Sequence, residues 1–306
     1  MDPTWTGIVG LLALFILLGL RMPVAIVMML IGFFGIAYLN SWDAALSTLA
    51  DEAWVISSNY EFIVIPLFIL MGNFASISGM SRDLYGAAYS WFGHWRGGLA
   101  SATIAACAGF AALSGSSVAS AVTMGRVALP EMKRYNYSDR LATGAIAAGG
   151  TLGILIPPST GFIIYAILVE ESIGRLFLAG VLPGLMLTVL FMISIAIVTR
   201  INPTLGPPGE RSTMTQRGQS LVQAGPMLLI VFITIGGIYG GVFTPTEAAA
   251  VGAMLAFLLA LFRRRVNKNS TSRVLLQTIR TTCLAFFILI GAHIFNPFMA
   301  LTDIPS

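Results

Sequence analysis

Charge is scarce in this sequence. Only 10% of its 306 residues are Asp, Glu, Lys or Arg, against 57% hydrophobic, and the mean hydropathy is +0.86. A soluble fold of this length needs more polar surface than that, so the chain uses lipid as its solvent. Cysteine and histidine are scarcer still, with two of each. Cys107 and Cys283 lie far apart inside apolar stretches, which excludes a disulfide framework and leaves each as a small free hydrophobe. No metal-ligand cluster and no Walker-type phosphate loop is present, so transport powered by this chain's own ATP hydrolysis is excluded. The opening residues Met1-Asp2-Pro3-Thr4-Trp5 carry no basic n-region and no small-residue cleavage site follows, so the first apolar run is expected to stay in the membrane. The net charge of +4 comes from basic residues between hydrophobic runs, a topology signal and not a nucleic-acid surface.

What is present is a series of apolar runs. A helix crossing a hydrocarbon core of ~30 Å needs about 20 apolar residues. Candidate spans fall near 5–20, 23–39, 62–78, 176–199, 226–242, 245–262 and 281–301. The stretch 40–61, read as a loop, holds Asp43, Asp51, Glu52 and Glu61 but no Lys or Arg, whereas Arg21, Arg82 and Arg96 lie at the opposite ends of the flanking spans. That pattern sets the amino terminus on the outer side.

Segment 98–126 has Arg96 before it and Arg126, Lys133, Arg134 and Arg140 after it, so both ends belong in the cytoplasm. The run Ser114-Gly115-Ser116-Ser117 divides it into two legs of roughly 14 residues, each ~21 Å long as helix, too short to cross. A re-entrant hairpin satisfies both facts and leaves 16 of the 17 Lys and Arg residues inside, with only Arg175 outside. A single crossing would instead put 13 of them outside. Residues 79–97 mix aromatics with a few charges and are expected to form an interfacial amphipathic helix. Residues 200–225, rich in Pro, Gly and Arg, read as a cytoplasmic linker.

Segment 141–169 carries Gly149-Gly150-Thr151-Leu152-Gly153 and then Pro157-Pro158-Ser159-Thr160-Gly161 at membrane depth. Adjacent prolines remove two backbone donors, so the helix unwinds here, and unwound backbone in a membrane must be buried in protein or line an aqueous cavity. Further on, Thr244 fits a helix N-cap, Pro245 the first position and Glu247 the third, making a capping box. Glu247 is therefore a cap in preference to a proton carrier. This start echoes the helix opening at Pro23-Val24-Ala25, with opposite direction. Residues 23–199 then read as one repeat, with scaffold helices in 23–78, the interfacial helix, the hairpin, the broken helix and helix 176–199. Residues 1–22 form a preceding helix, and 226–306 form a linking helix with the start of an inverted second copy. The chain is expected to stop before that copy is complete.

Secondary transporters bind substrate and coupling ions near the midplane, where hairpin tips and unwound helices meet. The expected sodium ligands are Ser114, Gly115, Ser117, Gly149, Gly150, Thr151 and Pro157, through carbonyls and hydroxyls. The expected substrate contacts are Ser116, Ser117, Ser159 and Thr160, with the start of the second hairpin leg aiming a helix amino terminus at an anionic carboxylate. The alternative is that the small residues merely let helices pack closely, with hydroxyls bonded to local backbone. A second function class is an intramembrane serine protease built on Ser114 and His293, which would require the base within hydrogen-bond reach of the nucleophile. That reading is weak, because Ala112 stands where the protease motif has glycine.

Three stretches carry a resemblance: Gly115-Ser116-Ser117-Val118-Ala119, Gly153-Ile154-Leu155-Ile156-Pro157-Pro158-Ser159, and Phe243-Thr244-Pro245-Thr246-Glu247-Ala248-Ala249-Ala250. In order and spacing the chain resembles the large membrane subunit of tripartite ATP-independent periplasmic (TRAP) transporters, DctM-like. The resemblance implies an all-α polytopic protein of the bacterial inner membrane, an inverted-repeat elevator transporter with a re-entrant hairpin and a broken transmembrane helix. It implies sodium-driven uptake of organic anions such as C4-dicarboxylates or sialic and other sugar acids. It also implies two partners, a soluble periplasmic binding protein and a small four-helix membrane subunit. No cofactor is implied beyond sodium as coupling ion. On this reading hairpin and broken helix move while spans 23–39 and 245–262 stay with the scaffold. The nearest competitor is a binding-protein-independent dicarboxylate carrier or a sodium/proton antiporter of related architecture.

Overall fold

The computed structural model describes residues 2–302 and 304. It is helical nearly throughout, as the apolar runs require when no water is at hand to satisfy backbone groups. Among the described residues six helical segments are long and apolar enough to cross a membrane: Tyr60–Ile77, Asp139–Leu168, Ile173–Ile201, Met214–Tyr239, Pro245–Phe262 and Lys268–Leu301. Packing divides the chain into two units, one made of Met1–Ile63 with Ile279–Ser306, the other of Val64–Thr278. These are divisions by packing and leave the repeat, a matter of symmetry, untouched.

The first unit contains α1 (Pro3–Gly19), α2 (Val24–Leu39), α3 (Trp42–Ser58) and the later part of the long terminal helix that begins at Lys268. α1 packs on α2, and α2 on α3. α2 and the terminal helix approach through glycine. A Cβ on Gly32 would lie 2.6 Å from the carbonyl oxygen of Ile294, and one on Gly291 2.6 Å from that of Ala25. Small residues at such crossings let membrane helices pack backbone to backbone.

α3 corrects the expectation of a loop over 40–61. Ser41 caps it, its hydroxyl accepting from Ala44 N at 3.1 Å, and Asp43 favours its first turn. Ala45, Leu49, Glu52 and Ile56 recur every three or four residues and form its covered side. The periodicity was present, but no long apolar run advertised it. On that side Glu52 Oε2 meets His293 Nδ1 at 3.1 Å, so His293 serves as a packing and pairing residue of the terminal helix.

The second unit holds α4 (Val64–Ile77), α5 (Met80–Phe92), α6 (Gly98–Ser114), α7 (Ser117–Arg134), α8 (Asp139–Leu155), α9 (Thr160–Leu168), α10 (Ile173–Ile201), α11 (Met214–Tyr239), α12 (Pro245–Phe262) and the start of α13 (Lys268–Leu301). Its centre is α6, buried along nearly its whole length and packed against α4, α5, α7, α8 and α10. Such burial on all sides explains why α6 is rich in Ala and Gly and carries no charge. α12 packs on α4, with Phe74 and Phe257 edge to face at 5.1 Å. Beyond it Arg263 pairs with Asp83 and also donates to Ser78 O at 3.4 Å.

The linker at 200–225 is shorter than its breakers suggest. α10 continues to Ile201 and α11 begins at Met214, where Thr213 and Gln216 form a capping box, so the non-helical part is confined to the Pro- and Gly-rich middle. Pro226 lies inside α11 without ending it. The expected capping box at Thr244 and Glu247 is present, with Thr244 N donating to Glu247 Oε2 at 2.8 Å and Glu247 N to Thr244 Oγ1 at 3.3 Å.

Candidate transport site

α6 and α7 form a helical hairpin. Its base closes where Leu99 N donates to Tyr137 Oη at 3.1 Å, which brings the start of α6 beside the end of α7. Burial pushes the Tyr137 phenol up to about 12, so it stays neutral there. The legs are 17 and 18 residues, longer than the 14 expected, because the first stays helical up to Ser114 and the second persists past Arg126 to Arg134.

The tip is two residues long. α6 ends at Gly115, with φ +57°, a left-handed conformation that favours glycine. Ser116 is extended and caps α7, its hydroxyl accepting from Ala119 N at 3.4 Å. Ser114 and Ser120 join hydroxyl to hydroxyl at 2.8 Å beneath the tip.

The break lies at 156–159, between α8 and α9. It does not include Gly149 to Thr151, which remain helical because α8 runs on to Leu155. Their carbonyls are committed within the helix, and Thr151 is exposed, its hydroxyl donating to Ala148 O at 2.6 Å. The carbonyls that the tandem proline deprives of an i+4 partner are those of Gly153 and Ile154. Their partners would be the amides of Pro157 and Pro158, which have no N–H.

Tip and break touch. Gly115 O accepts from Thr160 N at 3.2 Å and from Thr160 Oγ1 at 2.9 Å. A Cβ on Gly115 would lie 2.7 Å from Pro158 O. α8 meets the hairpin along a glycine stripe. A Cβ on Gly149 would lie 2.7 Å from Cys107 Sγ, one on Gly150 2.7 Å from Ala121 Cβ, and one on Gly153 2.6 Å from the Ser116 carbonyl carbon. Two hydroxyls in this region, Ser117 Oγ and Ser159 Oγ, are buried and have no hydrogen-bond partner. Buried hydroxyls are rarely left so, and each is an oxygen free for a ligand.

The family model described as "Tripartite ATP-independent periplasmic transporter, DctM component" matches residues 11–306. The chain belongs to this DctM family. It is 40% identical over 263 residues to the C4-dicarboxylate TRAP transporter large permease protein DctM of Pseudomonas aeruginosa, covering 86% of this chain and 61% of that protein. It is 34% identical over 314 residues to the protein of the same description from Rhodobacter capsulatus, covering 98% and 70%. With the sialic acid TRAP transporter large permease protein SiaM of Vibrio cholerae it shares 32% identity over 249 residues, covering 81% and 58%. The chain thus spans about three fifths of the length of most of these relatives.

In this DctM-family chain the expected site residues fall into two groups. Ser114, Gly115, Ser116, Ser117, Pro157, Ser159 and Thr160 gather at the contact of tip and break. Gly149 and Gly150 serve helix packing, and Thr151 faces away. Three residues were missed: Ile154, whose carbonyl faces the nitrogen of Pro158 in the helical register, Gly153 and Ser120. Gly153 completes the stripe begun at Gly149 and Gly150, so small-residue spacing already marked it. Ser120 reaches Ser114 across a turn, and no periodicity within one helix signals that pairing.

Proposed function

We propose that this chain works within the large membrane permease of a TRAP transporter, in the bacterial inner membrane with its amino terminus periplasmic. The reaction is sodium-coupled uptake of an organic acid of the C4-dicarboxylate or sialic-acid kind, substrates taken from the relatives' descriptions. A periplasmic binding protein delivers the substrate and a small membrane subunit completes the complex. The observation that carries this reading is the joined tip and break, with two unpartnered buried hydroxyls beside carbonyls freed by tandem proline. A sodium ion prefers such neutral oxygens. Ser117, Ser159, Gly153 and Ile154 would supply them, with Ser114, Gly115 and Pro157 framing the site. The amino termini of α7 and α9, at Ser116 and at Ser159-Thr160, carry partial positive charge suited to a carboxylate without an intramembrane arginine.

In this proposal the hairpin is re-entrant from the cytoplasm and moves with the broken helix in elevator fashion. In it Ser114 frames the site, its hydroxyl joined to that of Ser120. The test is uptake into proteoliposomes by the full-length permease with both partners, with and without an inward sodium gradient. Uptake that requires sodium and the binding protein supports the proposal. Uptake indifferent to sodium would sink the coupling, and uptake without the binding protein would favour the carrier alternative.

A further inference from the structure

Beside α10, away from the tip and break, lies a groove of about 750 Å³ whose two ends differ in chemistry. One end is basic. Arg96, in the turn before α6, and Arg200, in the last turn of α10, both line it and both are exposed. No carboxylate lies within ion-pair distance of either among the described residues, in contrast to Arg263. Ser101, only 3% exposed, also lines this end. It belongs to the first turn of α6, a 17-residue helix whose N-cap is Gly97 and which therefore has no side-chain cap. The positive end of that helix adds to the two guanidinium charges.

The other end is apolar. Val189, Met192 and Ile193 line it, and they continue onto an outward face of α10 with Leu178, Leu182, Leu185 and Met186, all exposed. A membrane helix turns such a face to acyl chains, so this end of the groove suits lipid. Trp95, 49% exposed, lines the groove near the basic end, where an amphipathic ring suits the headgroup boundary.

We propose that this groove is a binding site for an anionic phospholipid. Its phosphodiester lies between Arg96 and Arg200 at the start of α6, and one acyl chain lies along Val189, Met192 and Ile193. Guanidinium groups match phosphate oxygens with paired donors, and a phosphate at this end also lies in the favourable field of the α6 dipole. A free phosphate would leave the apolar end unused, and an uncharged amphiphile would leave two arginines without a counter-charge.

The inference is independent of substrate and coupling, so its test reads lipid retention and not uptake. The permease complex is purified in mild detergent with phosphatidylglycerol, phosphatidylcholine or inorganic phosphate, and bound lipid is measured by native mass spectrometry. Phosphatidylglycerol is expected to be retained over phosphatidylcholine. Each of Arg96→Gln and Arg200→Gln is expected to weaken retention about fivefold, and the pair together about 25-fold. Ile193→Trp leaves the charges intact and fills the apolar end, so it should displace the lipid too, while Arg140→Gln, outside the groove, should change nothing. Equal retention of both lipids, or no loss in the double variant with the complex still assembled, would overturn the proposal. So would displacement of the lipid by millimolar inorganic phosphate, which would reassign the site to a soluble anion.

Discussion

At the scale of single residues, the unpartnered hydroxyls of Ser117 and Ser159 separate a binding role from a packing role. A buried hydroxyl without a partner contributes nothing to the fold, so its removal is neutral or slightly stabilising. Ser117→Ala and Ser159→Ala are therefore expected to leave thermal unfolding in sodium-free detergent unchanged or raised, while shifting half-saturation of uptake to higher sodium. A lowered melting temperature without any change in sodium dependence would return both residues to a packing role. The glycines make the opposite kind of prediction. Gly153→Ala would press a methyl group into the Ser116 backbone and should cost about 1–3 kcal/mol, seen as a lower midpoint in thermal unfolding. Gly144→Ala, in the same helix and with nothing within 4 Å of the new carbon, should stabilise by up to ~1 kcal/mol. The contrast also tells what the sequence could reveal. A run such as Gly149-Gly150-Thr151 announces that small residues are needed, but only the neighbours decide whether smallness serves an ion or a packed helix. Here Cys107 and Ala121 supply the answer for the two glycines.

At the scale of elements, proline had to be weighed in context. Pro130, Pro183 and Pro226 sit inside continuous helices, whereas Pro157-Pro158 ends one. A lone proline removes one donor, and a neighbouring turn absorbs the loss. Two in succession free two successive carbonyls, and the chain leaves the helix. That distinction was legible in the sequence, and so were the turn at Gly115-Ser116 and the cap of α12, because each depends on residues within a few positions of one another. α3 was less legible, since its apolar side is interrupted by Glu52, whose partner His293 stands 241 residues away. The cap of α12 yields a further prediction. Thr244→Ala should destabilise by about 1 kcal/mol through loss of the capping bond. Glu247→Gln keeps an acceptor in the box but loses the negative charge at the helix start, so it should destabilise less than Thr244→Ala and leave the pH profile of uptake unchanged. A pH profile displaced by Glu247→Gln would instead make that carboxylate a proton carrier.

At the scale of the whole molecule, the distribution of arginine and lysine makes a prediction that no internal contact can. With 16 of the 17 basic residues assigned to one side, a cysteine placed at Arg126 should react with a membrane-impermeant reagent only from the cytoplasm. Intact cells and inverted vesicles give the two arms of that measurement, in a background with Cys107 and Cys283 replaced. Labelling from the periplasm would exclude a hairpin that returns to its side of entry.

The bonds from Thr160 to the Gly115 carbonyl act as a clasp. To part the hairpin from the broken helix would strip one acceptor and two donors of their partners. The two reversals are thus tied at one point, and a conformational cycle of the kind proposed would carry them together as a single component. Thr160→Val opens the hydroxyl half of the clasp while leaving its backbone half, and so offers a graded way to loosen that component without dismantling it.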